Sequence, residues 1–366
     1  MARTADRGGW PTWTAWGSLV WSATYAVAGA TWWVGASWYP FAEVPPDRSS
    51  ASLIEGMPAS VIGPVFVVAG TVGVAAAIAF LTSSNTAVRR SAVIVGSVLA
   101  LAATCLVPDY TILALLALWP VLLVFAVTGV QGAQEGVGDI LYWHRINLLL
   151  VFVGGLLWAG STLAACRRSR GACVRCGRAS TRPQLPTAAR VERLSLLGRR
   201  FVWLAVFATI PYDVTRFAWF LGWGLGLSEE MYASLHDPPE LLAVALALGA
   251  LSTGGALLTH GLVAPWGERF PRWMPRYAGR RVPPMLAVVP AGVVAVSLPP
   301  ASIMFAGSRV NGGFDIENWG TWLPSLFWLA WAVGLGGAAW TYYLRRRGPC
   351  RHCATSAPAP HAATRW

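Results

Sequence analysis

Charged residues are scarce in this chain, and lysine is missing altogether. Only 12% of its 366 residues carry a charge, whereas a soluble domain of this size has roughly 25%. All 28 basic residues are arginine, which is typical of a GC-rich bacterial genome and says nothing about chemistry. Long apolar runs occupy the parts of the chain where a soluble protein would have charged residues. The composition therefore excludes an ordinary soluble domain and indicates an integral membrane protein.

Motifs of catalysis are also missing. The chain contains no Walker A loop, no G-x-S-x-G, no H-E-x-x-H and no C-x-x-C-H haem attachment motif. These absences argue against an enzyme, and a membrane enzyme stays a third alternative behind the two functional hypotheses given below. The net charge of +12 does not indicate nucleic-acid binding, because the arginines cluster in loops between apolar segments, as membrane topology requires.

Nine apolar runs have lengths close to the 20 residues that cross a hydrocarbon layer of about 30 Å. They must be helices, because lipid offers no partner to unpaired backbone groups. The sequence thus predicts an all-α fold, a polytopic transmembrane helical bundle of about nine spans. The runs cover residues 14–36, 59–81, 92–108, 111–130, 145–165, 201–223, 241–263, 285–307 and 322–344.

The arginine distribution predicts the orientation of the second half of the chain. Ten arginines lie in 166–200 and five in 264–284, and three more follow the last span. Segment 224–240 has four acids and no arginine. By the positive-inside rule the arginine-rich segments and the C-terminus are cytoplasmic, in a bacterial cytoplasmic membrane, and 224–240 is external.

The first half is ambiguous. Nine spans place the N-terminus outside and leave Arg89 and Arg90 on the external face, against the positive-inside rule. Eight spans place both arginines inside, provided that one run between 91 and 165 does not cross, for example if 111–130 is re-entrant. We keep nine spans as the central prediction and eight as the alternative.

An internal repeat divides the chain. The pattern R-x-R-G-x-C-x-x-C occurs at 168–176 and again, with one extra arginine, at 345–353. Two further pairs of segments match, 139–143 with 315–319 and 89–90 with 280–281. We therefore predict two related halves. The predicted segments are a first membrane half (1–176), an arginine-rich cytoplasmic linker (177–198), a second membrane half (199–353) and a disordered tail (354–366).

Three stretches carry a resemblance to known sequences. They are WHRINLLLVFVGGLLWA at 143–159, the cysteine pair in ACVRCGR at 172–178, and WGERFPRW at 266–273. They resemble an uncharacterised family of actinobacterial multi-pass membrane proteins, and the resemblance extends through most of the chain. It implies the multi-pass architecture and no activity.

The two C-x-x-C pairs are the most specific chemical signal. Cys173 with Cys176, and Cys350 with Cys353, lie a few residues beyond span ends on the predicted cytoplasmic face, where disulfides are rare. Four thiolates are the ligand set of a closed tetrahedral zinc site. We predict one structural zinc ion, with redox-active pairs or cysteines of no function as the alternatives.

A second candidate site lies in the middle of the sixth run. Asp213 and Arg216 are three residues apart, so they lie on one helix face and can pair. A charge at this depth costs roughly 2.5–3.5 kcal/mol even on the most lenient scale. Pro211 can kink the helix beside them. We predict a substrate site at Tyr212, Asp213 and Arg216, and a structural ion pair is the alternative.

Weaker candidates lie at span ends, where polar residues are usually just solvated. Asp139, His144 and Arg145 lie at the outer entry to the fifth span, and Asp109 lies in the tight link between the third and fourth. We interpret the 21 tryptophans mainly as interfacial anchors.

Two functional hypotheses follow. One is a small-molecule or ion permease with a mid-membrane site. The other is a membrane scaffold or sensor whose cytoplasmic zinc knuckles bind a protein partner.

Overall fold

The computed structural model describes residues 9–42, 52–117, 142–178, 187–237, 240–272, 274, 276–348 and 350. Within these ranges the regular secondary structure is helical. The labelled helices are α1 (Trp10–Trp33), α2 (Ala59–Thr82), α3 (Thr86–Leu101), α4 (Trp143–Ser169), α5 (Thr187–Phe220), α6 (Glu229–Ser234), α7 (Glu240–Gly261), α8 (Pro284–Gly312), α9 (Trp319–Leu326) and α10 (Trp328–Arg346). A π-helical turn, Ala102–Leu106, continues α3, and residues 111–117 are also helical.

Seven helical segments in the described chain are long and apolar enough to cross a membrane. The prediction of an all-helical integral membrane protein is therefore confirmed. α1 also has 24 residues, but its six tryptophans and its threonines and serines lower its mean hydropathy. The predicted run 111–130 lies outside the described residues beyond position 117. The seven segments are Ala59–Thr82, Thr86–Leu106, Trp143–Ser169, Ala188–Phe220, Leu241–Gly261, Pro284–Gly307 and Trp319–Arg346.

The chain folds into two compact units. Unit 1 contains α1 to α4 together with Cys350, and unit 2 contains residues 111–117 and α5 to α10. The predicted linker 177–198 is helical from Thr187 onward, because α5 begins there rather than at the start of the apolar run. The predicted tail 354–366 lies outside the described residues.

Unit 1 is an antiparallel arrangement of four helices. α1 packs against α2 and α4, and α3 packs against α4. Small residues bring α1 and α2 together, since a Cβ atom built on Gly29 would lie 2.7 Å from the carbonyl oxygen of Gly63. Three residues link α2 to α3, and the Asn85 side chain caps the new helix by accepting the N–H of Ala87 at 2.8 Å. So short a link requires the two helices to be antiparallel.

Both arginine groups of the first half lie at one end of unit 1. The guanidinium of Arg89, at the start of α3, is close enough to that of Arg168, at the end of α4, for the two charges to repel. α3 and α4 are antiparallel, with Gly96 against Thr162 and Thr104 against Gly155. The chain therefore leaves α3 and enters α4 at the same end of the unit.

Unit 2 repeats part of this packing order, although α2 also packs against α3 in unit 1 and no comparable contact joins α7 and α8 in the described residues. Its first long helix, α5, packs against α7 and α10, and α8 packs against α10. α5 and α10 are antiparallel and close, because Gly334 faces the backbone of Ala205 and Gly337 faces the ring of Phe201. The shared order supports the prediction of two related halves, which stays a prediction.

The first long helix of each unit also ends in the same way. The N–H of Gly35 donates to the carbonyl of Trp32 at 3.0 Å, and the N–H of Gly222 donates to the carbonyl of Trp219 at 3.2 Å. In both turns the next N–H bonds to the carbonyl just before the tryptophan, and the glycines have φ of +92° and +94°. This left-handed helix cap favours glycine. A tyrosine also precedes each tryptophan by seven positions.

A minority of the tryptophans are packing residues rather than interfacial anchors, and Trp32 and Trp219, which lie near the ends of predicted spans, are among them. Trp32 and Trp158 are fully buried, and Trp219 is 4% exposed. The ring of Trp32 contacts those of Phe41 and Phe66 edge-on, with centroids 5.8 and 5.5 Å away. Edge-to-face aromatic packing is favourable because ring edges and faces carry opposite partial charges.

Candidate functional site

Aromatic rings hold the positive charge of Arg216. Its guanidinium carbon lies 4.5 Å from the ring centre of Tyr212 and 4.1 Å from that of Trp219. Tyr212 precedes Arg216 by one helical turn and Trp219 follows it by nearly one, so all three side chains share one side of α5. The Nη1 atom also reaches the carbonyl oxygen of Gly320 at 3.5 Å. Cation–π contacts of this kind stabilise a desolvated guanidinium.

The predicted ion pair between Asp213 and Arg216 does not form. In the described part of unit 2, an ion pair joins Arg345 Nη1 and Glu268 Oε1 at 3.7 Å, whereas Asp213 and Arg216 form none. The i, i+3 spacing allows a pair but does not require one. The two flanking rings offer the guanidinium an alternative partner, so the side chain of Arg216 turns to them.

The Asp213 carboxyl faces α7 instead. Thr209 on α5 and Ser252 and Thr253 on α7 place their hydroxyl groups beside it. Asp213 Oδ1, Ser252 Oγ and Thr253 Oγ1 are all buried and make no hydrogen bond of regular geometry in the described chain, although both hydroxyl groups are close enough to donate to the carboxylate after a small rotation. Ser252 is 7% exposed and Thr209 is 1% exposed. A buried carboxyl oxygen with two hydroxyl groups beside it, none of them in a regular hydrogen bond, needs a physical explanation.

The cluster lies inside the candidate spans. Ser252 and Thr253 are near the middle of the 22-residue α7, and Asp213 is about two turns from the end of α5. α5 continues through Pro211, whose missing N–H leaves the carbonyl of Phe207 without its regular helical bond. The sequence drew attention to Asp213 but not to the two hydroxyl residues, because isolated serines and threonines are common in apolar helices.

A second site is formed by cysteines in unit 1. The Sγ atoms of Cys173, Cys176 and Cys350 all lie within 4.8 Å of one another. Cys176 is buried and the other two are half-buried. All three thiols are free of disulfides. The fourth predicted ligand, Cys353, lies outside the described residues.

The turn that carries the first two cysteines has a defined backbone. The N–H of Gly177 donates to the carbonyl of Cys173 at 2.7 Å, and the N–H of Cys173 donates to the carbonyl of Arg178 at 2.9 Å. Gly177 has a φ of +72°, which a larger residue rarely adopts. Arg167 at the end of α4 donates to the carbonyl of Val174 at 2.8 Å and so ties the turn to the helix.

The three cysteines could hold a metal ion. For comparison, tetrahedral zinc bonded to sulfur at about 2.3 Å requires sulfur–sulfur distances near 3.8 Å. Two of the ligands come from one short turn and the third from the C-terminal segment. A bound ion would fasten that segment to unit 1.

A third polar cluster lies at the predicted external end of unit 1. Asp109 is 1% exposed and His144 is 3% exposed, and His144 Nδ1 is 2.9 Å from the carbonyl oxygen of Pro40. Burial raises the pKa of Tyr142; the charge of Arg145 opposes this shift, and Glu55 and Asp109 reinforce it. These span-end residues are therefore packed together rather than simply solvated. Asp139 lies outside the described residues.

The comparisons with known proteins are negative. No protein-family model, no curated protein and no solved structure matches this chain.

Proposed function

We propose that this integral membrane protein is a permease for a small cation, or for a solute coupled to one, with its mid-membrane site at Asp213. The observation that carries the proposal is the buried cluster of the Asp213 carboxyl group and the hydroxyl groups of Ser252 and Thr253, whose oxygen atoms converge without hydrogen bonds of regular geometry in the described chain. An ionisable residue within a membrane span is a functional candidate by default, because its burial is costly.

The chemistry of the cluster favours a proton or a sodium ion. A carboxylate and hydroxyl groups are hard oxygen ligands, and membrane transporters commonly coordinate sodium ions or relay protons with such groups. A cation at this position would satisfy all three oxygen atoms together. In this proposal Tyr212 and Arg216 line the neighbouring side of α5, where Arg216 is held by its aromatic partners.

Cation flux tests the proposal. Purified protein in liposomes should take up ²²Na⁺, or carry protons reported by enclosed pyranine, faster than protein-free liposomes do. Asp213→Asn should lower the flux by about tenfold or more, since it removes a charged ligand and keeps the shape of the side chain. Glu230→Gln is the matched control, because Glu230 lies in α6 outside the candidate spans.

Two results would contradict the permease. One is a flux of both cations that equals the protein-free value. The other is an Asp213→Asn variant as active as the wild type. Ser252→Ala should lower the flux less than Asp213→Asn, because it removes a neutral ligand.

The cysteine cluster supports a second candidate function, a membrane scaffold whose cytoplasmic zinc site binds a protein partner. Purified protein should then contain about one zinc ion per chain. Cys173→Ser and Cys350→Ser should each lose it, and Cys166→Ser should keep it, because Cys166 lies outside the cluster. Full zinc retention in Cys350→Ser/Cys353→Ser would exclude a site shared between the two pairs.

A further inference from the structure

Unit 2 contains a cavity of about 480 Å³. The cavity lies at the arginine-bearing end of the unit. It lies among the N-terminal part of α5, the C-terminal end of α7 and the C-terminal end of α10, and its polar lining includes Arg199, His260 and Arg345. Asp213 does not line this cavity, and it follows Arg199 on α5 by 14 positions, or about 21 Å. The cavity is therefore distinct from the proposed cation site.

Arg345 is a fixed part of the cavity wall. Its Nη2 donates to the carbonyl of Leu262 at 2.6 Å, and its Nη1 is 3.7 Å from a carboxylate oxygen of Glu268. Its Nε is buried and has no hydrogen-bond partner in the described part of the chain. A guanidinium that is held in place in a cavity wall, with Glu268 as its only described acidic partner, presents a fixed positive charge to the cavity.

Arg199 adds a second positive charge to the same space. It is exposed, and it makes no ion pair or hydrogen bond with another described residue. It is close enough to Arg345 for the two charges to repel. The imidazole of His260 lines the cavity as well. An anion between the guanidinium groups would turn this repulsion into two attractions.

The residues that line the cavity favour a phosphate-bearing ligand with an apolar portion. Planar guanidinium groups match pairs of phosphate oxygens in geometry and charge. Val202, Val263 and the half-exposed ring of Trp203 form an apolar part of the lining. The position at the end of candidate spans is the level of lipid headgroups, where basic pockets between helices bind anionic lipids.

We propose that this cavity binds a phosphate group, with Arg199 and Arg345 on its oxygen atoms and Trp203 against the rest of the ligand. The shared chemistry is the phosphate, and its source is either the headgroup of an anionic phospholipid or free phosphate. The site does not depend on the permease proposal.

Binding to the purified full chain in detergent tests the site. Phosphatidylglycerol, inorganic phosphate and dioleoylglycerol are titrated separately, and the melting temperature is followed by tryptophan fluorescence. Phosphatidylglycerol should raise the melting temperature, and dioleoylglycerol, which lacks phosphate, should not. Arg199→Gln should weaken phosphatidylglycerol binding by about tenfold, the effect of losing one charge-assisted hydrogen bond. Because Arg199 is exposed and unpaired, this variant should fold.

Arg200→Gln is the matched control, since Arg200 is adjacent and exposed but does not line the cavity. It should bind phosphatidylglycerol as the wild type does. If inorganic phosphate also stabilises the protein and competes with the lipid, the source includes free phosphate; if it does neither, the ligand is the lipid headgroup. Equal weakening by the two variants, no weakening in Arg199→Gln, or equal stabilisation by dioleoylglycerol overturns the proposal.

Discussion

Asp213 and Arg216 bring opposite charges into one membrane helix and meet different surroundings. The guanidinium of Arg216 is covered by the rings of Tyr212 and Trp219. The carboxyl of Asp213 has hydroxyl groups beside it but no hydrogen bond to Oδ1 in the described chain. The charge of Arg216 is thus covered by aromatic rings, whereas the Asp213 carboxyl has only neutral hydroxyl groups beside it. This difference favours a structural role for Arg216 and a binding role for Asp213.

Trp219 should therefore contribute strongly to stability. Trp219→Leu removes the ring over Arg216 and the hydrogen bond from its indole N–H to the carbonyl of Leu225, at 2.9 Å. We expect a loss of about 2–3 kcal/mol in the free energy of unfolding. Denaturation in detergent micelles measures it. Trp223→Leu is the control, because this ring is 69% exposed, and a loss of equal size there would contradict a specific role for Trp219.

At this scale the sequence singles out the charged residues of the spans, but it does not predict their partners. Hydropathy identifies Asp213 and Arg216, because charge stands out in an apolar run. It cannot choose between an acid three residues away and two aromatic rings, since that choice depends on side-chain rotamers. Ser252 and Thr253 become significant only when α5 packs against α7. The cysteines were predicted more completely, because spacing alone specifies the turn of Cys173 and Cys176.

Glycines decide how closely the helices of unit 1 approach. A Cβ atom on Gly63 would lie 2.9 Å from the carbonyl oxygen of Gly29 and from the backbone nitrogen of Trp33. Both are backbone atoms, which cannot move without shifting α1. Small residues at such contacts allow membrane helices to gain van der Waals packing.

Gly63→Ala should therefore lower the melting temperature, with a cost of about 1–3 kcal/mol from overpacking. Gly292→Ala in α8 is the matched control. A Cβ atom there meets nothing within 4 Å, so the better helix propensity of alanine should leave stability unchanged or slightly higher. Thermal unfolding of the two variants checks this, and equal melting temperatures would show that α1 and α2 do not approach as closely as described.

Helix boundaries were predicted best where polarity changes sharply. The end of α4 follows directly from its arginines. The start of α5 was placed too late, because residues 187–200 are polar and hydropathy cannot distinguish a solvated helix from a loop. The matching caps at Gly35 and Gly222 were visible as W-x-x-G in the sequence, but their equivalence depends on the backbone conformation.

For the whole molecule, the arrangement of unit 1 favours the alternative of eight spans. Arg89 and Arg168 lie at the same end of this unit, so the chain between α3 and α4 starts and finishes at one end. A single crossing by run 111–130 would require opposite ends. The N-terminus of α1 is at the arginine end as well, because Arg167 lies over the ring of Trp10. The positive-inside rule is then satisfied in the first half too.

Reporter fusions test this topology. Fusions at residues 86 and 185 and after residue 347 should report a cytoplasmic location, and a fusion at residue 232 an external one. An external signal at residue 86 would instead indicate nine spans, with run 111–130 crossing the membrane once. An external signal at residue 185 or after residue 347 would reverse the orientation of the whole protein.

The length of α5 has a mechanical consequence. With 34 residues at about 1.5 Å each it is about 51 Å long, some 20 Å more than a hydrocarbon layer requires. Its arginine-bearing N-terminal part therefore extends beyond the hydrocarbon layer, and a tilt of α5 as one body would displace that end about a point in the membrane. A tilt of about 10° would swing this end by roughly 3.5 Å. Arg199 lies on the N-terminal part of α5, and Asp213 lies on its membrane-embedded part. A ligand at either position that changes the tilt of α5 would therefore change binding at the other, and the coupling free energy would be the same in both directions.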